Sequence, residues 1–230
     1  MYLITLLILL IFYISVIFIM KYMKNSKVWN IVFAITIFAL YISHILIIYN
    51  SVGAKDWNFL NTMPVANVSP FMFALSPLIL ILPNKIRKYF YILISLLFVG
   101  MLLSAVFNCI YNTVISYKFH IHFVLDYLSH ILISLWGIYL IRSNQVQLTK
   151  KDSLVSTAII ISVATIILIL NVIFDTAFFG LSLNGKHNIY NVVLVNNSYL
   201  SAVIYYLGII LVTTIGYIFQ KLLNRNITNK

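Results

Sequence analysis

The stretch that decides the fold is Tyr2–Met20, which reads YLITLLILLIFYISVIFIM and holds no charged side chain. About 20 consecutive apolar residues are enough for a helix to cross the hydrocarbon core of a bilayer. Comparable apolar blocks follow along the whole chain. The predicted spans are Tyr2–Met20, Trp29–Tyr49, Met63–Ile81, Tyr89–Tyr111, Val124–Ile141, Val155–Phe178 and Tyr199–Phe219.

Composition supports the same class. Of the 230 residues, 63% are hydrophobic and only 8% are charged, whereas a soluble domain carries about 25% charged residues. Because a backbone in lipid must satisfy its own hydrogen bonds, the spans are predicted to be helices. We therefore expect an all-α fold, a polytopic transmembrane helical bundle of about seven spans. Residues 1–230 are expected to form a single transmembrane domain.

The charge pattern predicts orientation and partners. The net charge is +11, but the basic residues lie in short clusters between apolar blocks rather than in a basic domain. This pattern indicates the lipid bilayer as the main partner and disfavours nucleic acid. Twelve cations lie after spans one, three, five and seven, and three lie in the other connections. The positive-inside rule then puts the amino terminus outside and the carboxyl terminus in the cytoplasm.

The residue usage adds three smaller expectations. The single cysteine, Cys109, excludes an internal disulfide. The absence of Glu removes every motif that needs one, including the zinc-protease helix. Twelve lysines against three arginines, with many Ile and Asn, suggest an AT-rich genome. We expect a multi-pass protein of the cell membrane of a low-GC bacterium.

Two prolines, Pro70 and Pro77, fall inside the third predicted span. Each proline removes a helical donor and clashes with the carbonyl four residues earlier, here those of Ala66 and Phe73. A kinked span of this kind lines a functional cavity in some membrane proteins and is a plain packing feature in others. The sequence leaves both interpretations open.

Polar side chains inside the spans concentrate at one predicted depth, the outer half, and the inner halves contain almost none. Residues four apart share a helix face, and Asp126 and His130 are such a pair. Asp126, His130 and Asp175 together suggest a site, because two carboxylates and an imidazole are more than packing needs, whereas the Asn residues taken singly are better explained as hydrogen-bonding links between helices. His130 and Asp126 are the candidate catalytic residues. The candidate substrate-binding residues are His44, Asn67, Ser69, Asn108, Asn112, Asn171 and Asp175.

A metal site is not predicted, and neither is a cofactor. His122, Asp126 and His130 follow at successive fours, which resembles metal-ligand spacing. However, His122 and His130 are about 12 Å apart along a helix axis, and metal–nitrogen bonds are about 2 Å long. One ion cannot bind both histidines. Asp126 is better explained as an acceptor that orients a histidine.

Three segments resemble the YwaF-type family of conserved integral membrane proteins. They are Met63–Phe71 (MPVANVSPF), Tyr127–His130 (YLSH), and Asn171 with the stretch Asp175–Tyr190. The resemblance covers roughly residues 50–220 and implies a seven-span membrane fold. Animal relatives of the family include a membrane phospholipid acyltransferase thought to use Cys and His. By position, the family's histidine would be His130.

This chain departs from the family pattern at the third span, where a cysteine is common and Ala66, Asn67 and Val68 stand instead. A thioester mechanism is therefore not implied. We favour a component that binds or transports a small molecule or lipid, working with membrane partner subunits. The first alternative is an acyltransferase-like or hydrolase-like enzyme acting on a lipid, with His130 as general base. The second is a structural or assembly protein of the membrane.

Overall fold

The computed structural model describes residues 2–52, 68–115, 121–146, 149–174 and 198–228. All regular structure in these ranges is helical, and they contain no strand. A short 3₁₀ turn, Met20–Tyr22, follows the first helix. The helices are α1 (Tyr2–Ile19), α2 (Ser26–Val52), α3 (Val68–Ile81), α4 (Asn84–Ile115), α5 (Ile121–Arg142), α6 (Lys150–Phe174) and α7 (Ser198–Thr228).

Within the described ranges, six helices are long and apolar enough to cross a membrane, namely α1, α2, α4, α5, α6 and α7. The predicted all-α class and its membrane character are confirmed at this level. Helix α3 is apolar but has 14 residues, which at about 1.5 Å per residue is about 21 Å. That length is short of the roughly 30 Å hydrocarbon core. The predicted third span begins at Met63, and residues 63–67 lie outside the described ranges. The seventh span and the orientation stay predictions.

Helix α5 is the centre of the bundle. It packs against α4 and α2 most extensively and also contacts α1, α3 and α7. Apart from Leu128, every residue from Tyr127 to Ile141 is buried. A helix that is apolar on all sides has no polar face that would favour contact with water, so neighbouring helices can enclose it completely. By contrast, α1, α6 and α7 turn many Leu and Ile side chains outward, as helices that contact lipid do.

Two glycines allow close helix approach. A Cβ atom on Gly137 of α5 would lie 2.7 Å from the carbonyl oxygen of Ile94 and 2.8 Å from the Cβ of Phe98, both on α4. A Cβ atom on Gly216 of α7 would overlap the carbonyl oxygen of Leu96, also on α4. Small residues at such crossings let membrane helices gain van der Waals contact between their backbones. Helix α4 is thus held closely by α5 on one side and α7 on another.

The prolines of α3 leave no unsatisfied carbonyl among the described residues. Pro77 lies inside the helix, and the carbonyl of Phe73 accepts a hydrogen bond of 2.7 Å from the Ser76 hydroxyl. The same hydroxyl lies 2.9 Å from the carbonyl oxygen of Ala34 on α2. Pro70 is the third residue of α3 as described, and proline is tolerated in a first turn. Ala66 lies outside the described ranges. The Ser76 contacts favour the packing interpretation of Pro77.

Candidate functional site

The candidate site starts from a pair on one turn of α5. The Nδ1 atom of His130 lies 2.9 Å from the backbone carbonyl oxygen of Asp126 and 3.5 Å from its carboxylate Oδ1. A carbonyl oxygen only accepts, so Nδ1 carries the hydrogen of this bond. Nε2 is then the nitrogen with the lone pair when the ring is neutral. The predicted spacing of four therefore produces a real contact.

The two members of the pair differ in exposure. The His130 side chain is 4% exposed and the Asp126 side chain is 25% exposed. The imidazole is enclosed by the bundle because α5 is buried around it, whereas the carboxylate lies one turn nearer the start of the helix. A molecule that approaches this end of the bundle can reach Asp126 more readily than His130.

Helix α4 supplies the next contacts. The Asn108 side-chain amide donates to Asp126 Oδ2 at 3.4 Å, and the Tyr127 hydroxyl donates to the Asn108 carbonyl at 3.4 Å. Both distances are longer than the usual range for hydrogen bonds, which ends near 3.2 Å, so both contacts are weak. Among the described residues, the carboxylate of Asp126 therefore has only long contacts with Asn108 and His130.

Helices α2 and α3 complete the surroundings. The Nδ1 atom of His44, on α2, lies 2.8 Å from the carbonyl oxygen of His122, and the two imidazole rings are 5.8 Å apart. The Phe73 ring of α3 meets the His130 ring edge-on, with centroids 5.0 Å apart and an angle of 89° between the ring planes. Four helices thus meet at this level. We refer to His44, Asn108, His122, Asp126 and His130 as the histidine cluster.

The structure brings together four of the predicted site residues: His44, Asn108, Asp126 and His130. Of the other described residues, Ser69 lies half-buried in the first turn of α3. Asn171 is buried near the end of α6, a helix that packs mainly against α4 and α7. Asn67, Asp175 and the side chain of Asn112 lie outside what the structure describes. Within the described residues, no group of three or more metal-ligating side chains is placed to hold an ion.

A second group of polar side chains lies nearer the other end of α5. The Trp136 indole donates to the Asn30 side-chain oxygen at 3.0 Å, and the Asn30 amide donates to Gln145 Oε1 at 2.6 Å. The Tyr139 hydroxyl donates to the carbonyl of Met23 at 3.1 Å. We refer to Asn30, Trp136, Tyr139 and Gln145 as the tryptophan cluster. Trp136 and Tyr139 are fully buried and Asn30 is nearly so.

The prediction that this half of the spans contains almost no polar groups is therefore wrong. It overlooks Asn30, which lies at the start of the predicted second span, and the polar atoms of Trp and Tyr. Buried tryptophan and tyrosine usually find a hydrogen-bond partner for their N–H or O–H group. Trp136 and Tyr139 in a predicted span are the signal that such partners have to exist.

At the same end, two arginines bind the ends of neighbouring helices. Arg142 donates to the carbonyl of Ile17 in the last turn of α1, at 2.7 Å. Arg87 donates to the carbonyl of Leu82, directly after α3, at 2.6 Å. The last carbonyls of a helix have no partner within it, and cations are favourable there. These two basic residues therefore have local structural roles, apart from their place in the predicted orientation.

Comparison with family models, with curated proteins and with solved structures finds no match to this chain. The resemblance to the YwaF-type family stays a prediction. The described fold is an all-helical bundle whose six long apolar helices could cross a membrane, and it fits an integral membrane protein.

Proposed function

We propose that this chain is an integral protein of the cell membrane that binds a small molecule or lipid at the histidine cluster, as a binding or transport component. The observation that carries the proposal is the pair of Asp126 and His130 on the central helix. Ionisable residues within spans are costly, and they usually mark a substrate or ion pathway. Under the predicted orientation, the cluster lies in the outer half of the bundle.

The chemistry of the cluster indicates the kind of ligand. An ionised carboxylate only accepts hydrogen bonds, and the contacts of Asp126 with Asn108 and His130 are 3.4 Å and 3.5 Å long. A quarter of its side chain is exposed. These features favour a ligand that donates hydrogen bonds, such as one with a hydroxyl or ammonium group. A lipid headgroup or a small polar molecule meets that description.

The enzyme alternative has less support at this site. General-base catalysis by His130 would need a nucleophile or water within hydrogen-bond reach. The neighbouring Ser129 hydroxyl instead donates to the carbonyl of Leu125 on its own helix, at 2.8 Å. The Nδ1 hydrogen of His130 is held by the carbonyl of Asp126, so a base would act through Nε2, and within the described residues no hydroxyl is seen to donate to that nitrogen. The geometry therefore favours binding over catalysis.

The test is native mass spectrometry of the protein in mild detergent, after addition of the total polar lipid extract of its expression host. We expect the wild-type protein to retain a bound species, and Asp126→Asn to retain much less of it at an unchanged melting temperature. Ser129→Ala is the matched control, because it removes a buried hydroxyl one turn away that bonds only its own helix. Equal retention by wild-type protein, Asp126→Asn and Ser129→Ala would contradict the proposal.

A further inference from the structure

The carboxylate of Asp126 has no lysine or arginine beside it among the described residues. On the helices that meet at the histidine cluster, the described basic residues lie toward the opposite end. Lys88 of α4 precedes Asn108 by 20 residues, and Arg142 of α5 follows Asp126 by 16, which is about 24 Å along the helix. Within the described ranges, the group beside this carboxylate that can become a cation is the imidazole of His130, whose Nδ1 atom lies 3.5 Å from Asp126 Oδ1.

An unpaired negative charge is unfavourable at this place, because only 25% of the Asp126 side chain is exposed. Burial of a charge is costly unless the charge is paired, and charged residues within spans usually have a partner. The Asn108 amide is neutral and approaches the carboxylate only at 3.4 Å. Two species can therefore balance the charge of Asp126: a proton on His130, or a cationic ligand. One carboxylate balances one positive charge, so the two species compete.

We propose that the histidine cluster binds a primary ammonium group on Asp126, and that the bound ammonium displaces a proton from His130. The inference rests on the proposed function of the cluster and names the chemistry of its ligand. A primary ammonium group has three N–H donors and an ionised carboxylate only accepts, so the two are complementary. A quaternary ammonium group has the same charge without a donor. The ammonium group alone is small, so the exposed part of Asp126 can bind it without an enclosed cavity.

The hydrogen bond of His130 fixes the atom that gains and loses the proton. Nδ1 already carries the hydrogen that bonds the Asp126 carbonyl at 2.9 Å, so Nε2 takes the additional proton. This backbone bond is the same in both protonation states, and the ring keeps its place. When an ammonium group binds Asp126, its charge repels the positive ring, and Nε2 releases its proton to water. By linkage, a proton on Nε2 weakens ammonium binding by the same factor.

The other titratable side chains around the pair respond elsewhere or in another pH range. His44 of α2 is directed to the backbone of α5, since its Nδ1 atom lies 2.8 Å from the carbonyl oxygen of His122. Histidine is the side chain that ordinarily changes charge between pH 5 and 8. Apart from Tyr139 at the other end, the remaining buried titratable groups that the structure describes on α5 and the helices in contact with it are phenols and one thiol, which ordinarily stay uncharged below about pH 8: Tyr13, Tyr41, Cys109, Tyr127 and Tyr205.

The first test is calorimetric titration of the full chain in mild detergent with ethanolamine, and with choline as the matched probe. Both probes carry one positive charge and a hydroxyethyl group, and they differ only in N-methylation. We expect choline to bind at least about tenfold more weakly, because it cannot donate to the carboxylate. The apparent Kd of ethanolamine should rise by up to about tenfold per pH unit as the pH falls from 7.5 to 5.5. Equal affinities for the two probes would overturn the proposal.

The same titration counts the protons released. Buffers with different ionisation enthalpies give different apparent heats when binding releases a proton, and the difference reports the number of protons. We expect release of up to one proton for each ethanolamine bound near pH 6.5. Ethanolamine binding without proton release at any pH between 5.5 and 7.5 would overturn the proposal.

The second test assigns the proton to a residue. His130→Gln keeps a side-chain amide that can donate to the Asp126 carbonyl but does not titrate, and His44→Gln is the matched control in the same cluster. We expect ethanolamine binding to lose its pH dependence in His130→Gln and to keep it in His44→Gln. Persistence in His130→Gln would contradict the assignment. If His130→Gln does not fold, His44→Gln/His122→Gln decides: retained proton release leaves His130 as the source, and its loss overturns the proposal.

The last arm distinguishes a lipid headgroup from a free amine by native mass spectrometry. Retention of phosphatidylethanolamine over phosphatidylcholine would identify the headgroup as the source, and retention of neither, with ethanolamine bound, would identify a free amine; both results support a primary ammonium. If Asp126→Asn loses a species bound from the lipid extract, but neither ethanolamine nor phosphatidylethanolamine binds the wild-type protein, this inference fails and the proposed function stands. If no species depends on Asp126, both fail.

Discussion

The Nδ1 atom of His130 lies 2.9 Å from the carbonyl oxygen of Asp126 and 3.5 Å from the carboxylate of the same residue. The shorter contact is to the backbone, so the helix itself fixes the orientation of the imidazole ring. The Phe73 ring then packs against that imidazole edge-on. His130 is therefore the enclosed member of the pair, and Asp126 is the more accessible member.

This relationship predicts different outcomes for changes at the two residues. We expect His130→Ala to lower both ligand retention and stability, because it removes a buried ring together with its contacts to Asp126 and Phe73. The stability loss should be roughly 1–2 kcal/mol, because the edge-on ring contact with Phe73 of α3 is worth about 0.5–1.5 kcal/mol and the packing of the buried imidazole is lost with it. The measurement is a thermal melt beside native mass spectrometry of the same sample. If the variant has a lower melting temperature but still retains the bound species, His130 contributes to packing only.

The glycine crossings predict a position-specific loss of stability. Gly137→Ala would place a methyl group against the Ile94 carbonyl and the Phe98 side chain, and overpacking of this kind costs about 1–3 kcal/mol. Gly208→Ala is the matched control, because an added Cβ there meets no atom within 4 Å. We expect the melting temperature to fall for Gly137→Ala and to stay level or rise slightly for Gly208→Ala. Equal melting temperatures for the two variants would mean that α4 and α5 do not cross this closely.

The tryptophan cluster predicts that the indole N–H group of Trp136 contributes to the stability of the fold. Trp136→Phe keeps an aromatic ring beside Phe33, whose ring is 6.4 Å away and nearly parallel, but it leaves the Asn30 oxygen without its indole donor. An unsatisfied buried acceptor costs about 1–3 kcal/mol. We expect Trp136→Phe to unfold at lower denaturant, and Trp29→Phe, at a half-buried position on α2, to change far less. Similar shifts for both would show that ring size, rather than the hydrogen bond, decides stability.

The predicted orientation is tested by labelling single cysteines. Cys109 is buried, and replacing it with Ala gives a background without thiols. A membrane-impermeant maleimide added to intact cells should label cysteines placed at Lys55 and Lys186, which lie outside the described residues. It should not label cysteines at Lys85 and Lys151 until the cells are opened. Labelling at Lys85 and Lys151 in intact cells would show that the orientation is the opposite of the predicted one.

The helices and their membrane character follow from the sequence because both are local properties. A run such as Tyr2–Met20 has no charge to place in water, and a backbone in lipid has to bond within its own segment. The contact between Asp126 and His130 is local as well, since a spacing of four brings two side chains together on any helix. That part of the candidate site is therefore predictable from the order of residues alone.

The neighbours of each helix were decided only by the tertiary structure. Lipid is as apolar as a protein interior, so hydrophobicity does not distinguish a helix at the centre of the bundle from one that faces the membrane. The sequences of α1 and α5 both predict spans, yet only α5 is enclosed by its neighbours along most of its length. The contact of Asn108 with Asp126 and that of Asn30 with Trp136 both cross between helices. They depend on how those helices pack, which no local pattern in the chain encodes.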